Sequence, residues 1–196
     1  MPRRFDAIIF DMDGTIIDSS IDFAAIRAEL GVPANVGILE SIDAMDEPAR
    51  SEAHRKLLAM EMASVASATL MPHARETLEC ICSAGLKTAL LTRNAREAME
   101  RILQRFELEF DLAWSRERGP IKPEPDGVLR ACEQLDVEPA RTPCVGDYRY
   151  DLVAARSAGA PAVLLACNER PAFADEADYV IAGLDALPAL LGIEKQ

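Results

Sequence analysis

The periodicity of apolar and polar residues changes along this chain in a repeating order. Residues 7–10 (Ala-Ile-Ile-Phe) are continuously apolar and stop at Asp11, as expected for a strand buried on both faces. From residue 72 onward, helical and strand patterns alternate. Pro72 opens a helix with Ala74, Leu78, Ile81 and Ala84 at helical spacing, and Gly85 ends it. Residues 86–91 read as a buried strand closing at Thr92. Asn94 is then placed to cap a helix whose inner face is Ala98, Ile102, Leu103 and Phe106. A weaker strand covers 110–114, and Pro125 starts a helix with Val128, Leu129, Cys132 and Leu135 inward. A brief strand at 142–145 ends at Gly146-Asp147, followed by a helix from about Tyr148 to Gly159. Strands at 162–166 and 179–181 and a closing helix at 184–191 complete the series. Such alternation predicts an α/β fold, a parallel Rossmann-like sheet covered by helices on both faces.

Residues 19–71 interrupt this order. They show no strand pattern and read as helices over about 21–30, 37–44 and 48–70, the last with Leu58, Met62, Val65 and Thr69 on one stripe. The expected organisation is therefore an α/β catalytic core of residues 1–18 plus 72–196, with a small all-helical cap of residues 19–71 inserted into it. Placed directly after the first strand, the cap would hang over that strand's carboxyl end and exclude water from a cleft there.

Composition narrows the options. The 196 residues suffice for one sizeable core, and 49% hydrophobic with 28% charged residues describes a globular chain. A formal charge of -12 argues against nucleic acid and anionic membranes as partners. No run approaches the roughly 18 apolar residues of a membrane span, and Asp6 and Asp11 interrupt the apolar start far short of a signal segment. The five cysteines, Cys80, Cys82, Cys132, Cys144 and Cys167, lie in apolar contexts and read as reduced, buried thiols of a cytoplasmic protein. The acidic balance also sets a condition, because an anionic substrate would need local positive charge from a metal or from selected Lys and Arg side chains.

The polar residues that carry chemistry fall at the carboxyl ends of the expected strands. Asp11 and Asp13 flank Met12 and precede Gly14-Thr15. A buried strand ending in two acids on a glycine turn is an unfavourable arrangement unless the acids meet water, a cation or donors in a cleft. There, one carboxylate could bind metal or attack an electrophile, and the other could move a proton. Thr92 ends the strand at 86–91 and offers a hydroxyl beside Arg93 and a helix N-terminus, a position suited to an anion. Lys122, stiffened by Pro123 and Pro125, can place one charge on a phosphoryl oxygen. Asp147 closes another strand, with Asp151 one helical turn beyond. Four carboxylates meeting at one point repel, by about 4 kcal/mol for a pair about 4 Å apart at an effective dielectric near 20. They therefore call for a divalent cation, and an all-oxygen set favours magnesium over zinc.

Taken together, Asp11-Met12-Asp13-Gly14-Thr15, Thr92, Lys122-Pro123 and Gly146-Asp147-x-x-x-Asp151 resemble, in order and spacing, the four motifs of the haloacid dehalogenase-like superfamily, most of all its phosphoglycolate phosphatase-like branch. The match spans nearly the whole chain and includes a helical cap after the first motif. The resemblance implies a magnesium-dependent phosphatase of a small phosphorylated metabolite, with phosphoglycolate or a sugar phosphate as candidates. It implies Asp11 as nucleophile, forming an aspartyl-phosphate, and Asp13 as acid and then base. It implies metal binding by Asp11, Asp13 (through its backbone carbonyl), Asp147 and Asp151, and phosphate binding by Thr92, Lys122 and backbone amides after Asp11. Arg93 is expected as a further substrate contact at the mouth of the cleft. In the cap, Arg27, Arg50, His54, Arg55 and Lys56 read first as a solvated face and second as readers of a substrate carboxylate or second phosphate, while His73 reads as surface.

Rival readings differ in testable ways. A dehalogenase would not need Asp13, because a halide leaves without a proton. A phosphomutase of the β-phosphoglucomutase type shares the core motifs but needs acid-base groups in its cap, and none stands out here. A phospho-acceptor signalling domain lacks a helical insert after its first strand, and a silent scaffold would not keep every catalytic position filled.

Overall fold

The computed structural model describes residues 4–167 and 170–193. Ala7–Phe10 forms β1, with all four residues buried. Its alternation sorts the two halves of the core: Ile8 and Phe10 join one apolar cluster, Ala7 and Ile9 the other. Each large side chain so buried stabilises the fold by about 1.5–3 kcal/mol before entropy is counted.

Six strands build one parallel sheet. In chain order they are β1, β4 (Lys87–Leu91), β5 (Leu112–Trp114), β6 (Cys144–Gly146), β7 (Ala162–Leu165) and β8 (Tyr179–Ile181). Their order across the sheet is β5-β4-β1-β6-β7-β8. β1 thus pairs with β4 on one side (Ile9 opposite Ala89) and with β6 on the other (Ile9 opposite Cys144). The order reverses between β1 and β6, where doubly wound sheets open a crevice beyond the strand ends. One face is covered by α4 (Ala74–Ser83) and α5 (Arg96–Arg105), which contribute Leu78, Ile81, Met99 and Ile102. α6 (Asp126–Leu135) and α7 (Arg149–Ser157) cover the other, through Val128, Ala131, Cys132, Leu152 and Ala155.

The segment after β1 leaves the sheet through β2 (Ile17–Asp18) and returns through β3 (Thr69–Leu70), which pair antiparallel with Asp18 opposite Thr69. Between them lie α1 (Phe23–Leu30), α2 (Ile38–Asp43) and α3 (Ala49–Ser67). They share a separate cluster of Ile26, Leu39, Ile42, Ala53 and Leu57.

Several expectations are corrected. A strand does occur inside residues 19–71, because β3 is two residues long and too short to show a period. α3 ends at Ser67, so Thr69 is not helical, and the buried stripe is Ala53, Leu57 and Glu61 instead of Leu58, Met62 and Val65. Hydropathy alone assigns a glutamate to solvent; this one is turned inward by a charged partner described below. Leu129 is 43% exposed, since the inner face of α6 is completed by Ala131. Asn94 does not cap α5; Ala95 holds that position, and the asparagine side chain is used elsewhere. The closing helix splits into a 3-10 turn, Leu184–Ala186, and α8 (Leu187–Leu190). All five cysteines are free, but only Cys132 and Cys144 are buried; Cys82 and Cys167 are exposed. Among the described residues no helix is long and apolar enough to cross a membrane.

Candidate active site

The carboxyl ends of β1, β4 and β6 and the start of α7 converge on one cavity of about 620 Å³, roofed by the helical insert. Asp11, Asp13, Thr92, Arg93, Lys122, Asp147 and Asp151 all line it. Asp11 is fixed where β1 stops: its backbone N–H donates to Val145 of β6 at 2.9 Å, carrying the sheet ladder one residue past the strand. The chain then folds back, with Ile16 and Ile17 both donating to the Met12 carbonyl, and this tight turn seats Asp13 over the strand end.

Lys122 is the charge at the centre. It is 9% exposed, and its Nζ donates to Asp11 Oδ1 at 2.5 Å and to Asp151 Oδ1 at 2.6 Å. The flanking acids hold its pKa well above the usual lysine value in spite of burial, which by itself would lower it. The acids respond the other way. Burial raises the pKa of Asp11 well above the usual carboxylate range; Lys122 pulls it back while Asp151, Asp147 and Asp13 push it further up. Burial, followed by repulsion from Asp151, pushes Asp147 up to about 7. A site in which desolvation exceeds the charge compensation offered by one lysine is short of positive charge.

Three carboxylates, those of Asp11, Asp147 and Asp151, each offer an oxygen within 4.8 Å of the others. Glycines make the approach possible. Gly14 has φ +74, and a Cβ there would lie 2.1 Å from Asp147 Oδ2; a Cβ on Gly146 would lie 2.2 Å from Asp151 Cγ. Asp151 is in the first turn of α7, where its other oxygen accepts the Tyr148 N–H at 3.2 Å. Oxygen-only donors of this density fit a small hard cation. Of the four aspartates expected to bind metal, the Asp13 carboxylate is the one outside this cluster.

Asp13 is instead held for another task. Its Oδ2 accepts from Asn94 Nδ2 at 2.7 Å, and its Oδ1 is buried without a hydrogen-bond partner. Burial raises its pKa, and the contacts with Ser19 and Asn94 only partly offset that. Thr92, 5% exposed at the end of β4, lets its Oγ1 accept the Asn94 N–H at 3.1 Å, so hydroxyl and asparagine are locked together.

Arg93 lines the cavity but is occupied. Its Nη2 donates to both Glu40 oxygens at 2.9 Å, its Nη1 donates to the Lys122 carbonyl, and its guanidinium lies 4.7 Å from the centre of the Tyr150 ring. The side chain expected to meet phosphate therefore ties the insert to the sheet. Most of the insert's other basic groups are paired at the surface: Arg50 with Glu47, His54 with Asp43, Arg55 with Glu52, Lys56 with Glu29. His73 is exposed.

Two residues of the site carried no usable sequence signal. Asn94 reads as a helix cap, and its contact with Asp13 spans 81 positions. Glu61, 4% exposed on α3, bonds Arg116 Nη1 at 2.5 Å and accepts the Ala95 N–H at 3.2 Å, which plugs the N-terminus of α5 with a carboxylate from the insert. The sole hint was an acid at helical spacing from Ala53 and Leu57.

Comparison with known proteins agrees with this geometry. Residues 5–159 match the family model for haloacid dehalogenase-like hydrolases. A haloacid dehalogenase-like hydrolase domain-containing protein of Arabidopsis thaliana is 32% identical over 193 residues, covering 92% of this chain and 78% of its own. The phosphoglycolate phosphatase encoded on a plasmid of Cupriavidus necator is 31% identical, with 94% of this chain and 92% of the relative covered. Among solved structures, a hydrolase from Pseudomonas syringae superposes with a TM-score of 0.81 at 22% identity, over 97% of this chain and 100% of that one, a likeness of fold.

Proposed function

The chain belongs to the haloacid dehalogenase-like hydrolase family as a phosphoric monoester hydrolase, and we propose that it is a magnesium-dependent phosphatase of a small phosphorylated metabolite, working through an aspartyl-phosphate on Asp11. The observation that carries this reading is the placement of Asp11: it ends β1 at the floor of the cavity, with Lys122 on one oxygen and Asp13 two residues on. Lys122 orients the Asp11 carboxylate and neutralises the phosphoryl oxygens that approach it. An Asp11 oxygen attacks phosphorus, and the ester P–O bond breaks. Asp13 donates its proton to the departing alkoxide; burial raises its pKa, which favours the protonated form over that of an exposed aspartate. As carboxylate, Asp13 then takes a proton from the water that attacks the acyl phosphate, and the P–OAsp11 bond breaks to release phosphate. Thr92 supplies a hydroxyl to a phosphoryl oxygen.

Asp11, Asp147 and Asp151 are the residues that would hold magnesium, with the Asp13 backbone carbonyl. When bound, the ion supplies the positive charge that neutralises the acids and the incoming phosphate. Arg93 can reach substrate only by releasing Glu40, so we assign it to holding the insert closed. The helices between β2 and β3 act as the cap that excludes water from the acyl phosphate. We place the reaction in the cytoplasm; the five free thiols support a reducing compartment.

The test is phosphate release from a panel of phosphorylated metabolites and p-nitrophenyl phosphate, with and without magnesium. Asp11→Asn should keep the fold but lose about 10⁴-fold or more of the turnover. A variant that keeps near-normal activity removes Asp11 from the nucleophile's role.

A further inference from the structure

Three cationic side chains line the cavity, and they differ in one respect. Lys122 is paired with Asp11 and Asp151, and Arg93 with Glu40. Arg27, in the last turn of α1, has no acidic partner among the described residues. It is nevertheless fixed in place. Its Nη1 donates to the carbonyls of Pro33 at 2.8 Å and Val36 at 2.6 Å, on the loop that joins α1 to α2. One edge of the guanidinium is thereby held against neutral oxygens. The other donors, Nε and Nη2, have no hydrogen-bond partner among the described residues. In a chain with a formal charge of -12, where Arg50, Arg55 and Lys56 of the same insert each have a nearby carboxylate, this is the exception.

On the reading of this cavity as a phosphatase site, we infer that Arg27 is a specificity-determining residue that binds a second anionic group of the substrate, a carboxylate or another phosphate, remote from the ester that is cleaved. The chemistry follows from the donors left over. A guanidinium edge presents parallel N–H groups that match two oxygens of a carboxylate or phosphate, and one held beforehand by two carbonyls loses little entropy on binding. The phosphoryl end is served by Thr92, at the end of β4, and Lys122, in the turn before α6. Arg27 belongs to the insert and so reads the part of the substrate facing the cap. Elsewhere the cap side of the cavity is lined mainly by apolar residues such as Phe23, Ile38, Leu39 and Leu57; its other polar groups, Ser19, Ser20 and Glu61, carry no positive charge.

Matched substrates test the assignment: 3-phosphoglycerate against glycerol 3-phosphate for a carboxylate, and fructose 1,6-bisphosphate against fructose 6-phosphate for a phosphate, with p-nitrophenyl phosphate as the control. The wild type should favour the anionic member of at least one pair by tenfold or more in kcat/KM. Arg27→Gln should erase that preference through KM, leaving kcat and p-nitrophenyl phosphate hydrolysis nearly unchanged. Absence of a preference in both pairs overturns the inference using the wild type alone, whether or not the variant folds. It is equally overturned if the preference survives in Arg27→Gln, or if p-nitrophenyl phosphate hydrolysis falls in proportion, since the arginine then only holds its loop. Failure to hydrolyse even p-nitrophenyl phosphate with magnesium present overturns the phosphatase reading, and this assignment with it.

Discussion

Replacing Glu61 by alanine would strand two groups inside the protein. Arg116, with its side chain 11% exposed, would lose the carboxylate at 2.5 Å, and the Ala95 N–H at the start of α5 would lose its acceptor. Removing one partner of a buried ion pair costs about 3–5 kcal/mol, mostly because the other charge stays behind unpaired. At an m-value of about 2 kcal/mol/M, a loss of about 4 kcal/mol moves the urea midpoint down by about 2 M. The pair itself is a different matter. Burial raises the Glu61 pKa more than Arg116 lowers it, so in the folded protein the charged form is disfavoured relative to the unfolded chain. By linkage, this group's contribution to stability is largest at low pH and declines as pH rises from its ordinary value through the raised one. The pair thus positions the insert while burial opposes the charge on Glu61. Replacing both members by apolar residues, Glu61→Leu with Arg116→Met, should restore most of what Glu61→Ala loses. Urea unfolding of the two single variants and the double variant measures this. A single variant that loses less than about 1 kcal/mol, or a double variant no better than Glu61→Ala, would refute the reasoning.

Two further outcomes follow from the site. Asp13→Asn should slow formation of the aspartyl-phosphate from an alkyl phosphate by about 10²–10⁴-fold but spare that step with p-nitrophenyl phosphate, whose leaving group needs no proton. Single-turnover rapid quench isolates this step from the later hydrolysis, which also uses Asp13 and is common to both substrates; equal losses in the first step would remove Asp13 from the acid's role. Metal binding should depend on pH in a stated direction. Because Asp147 is raised to about 7, protons compete with the cation below that value, and in the metal-free protein the charged acids lower stability as pH rises from about 4 towards 7. The rise in Tm on replacing EDTA with magnesium should be larger near pH 8 than near pH 5, and an equal rise at both would contradict the carboxylate cluster as the site of binding.

Much of this architecture was legible because it rests on local rules. Continuous apolar runs marked β1 and β7, and a shorter one at residues 89–91 marked β4; Asp11 and Thr92, which follow β1 and β4, marked the end of the sheet where the cavity opens. The positions that failed depend on partners far away in sequence. Asn94 meets Asp13 across 81 residues and Arg116 meets Glu61 across 55, distances over which spacing carries no information. The buried face of α3 was misassigned for the same reason, as the stripe follows where α1 and α2 pack and where Arg116 sits.

The division between legible and hidden residues coincides with a division of labour. Two groups placed to act on the phosphoryl unit, Asp11 and Thr92, directly follow strand ends, where the ladder fixes backbone position to within a hydrogen bond, Asp11 held by Val145 and Thr92 by Trp114. Groups that set the insert over the cavity, Glu61 with Arg116 and Glu40 with Arg93, are charged pairs crossing from the insert's helices to the segments that follow β5 and β4. A paired charge can be exchanged for another pair without disturbing a strand, so the insert and its distal contacts can vary while the strand ends stay fixed. On that argument the reaction is specified by β1, β4 and β6, and the choice of substrate by side chains such as Arg27, which belong to the part of the chain whose periodicity says least.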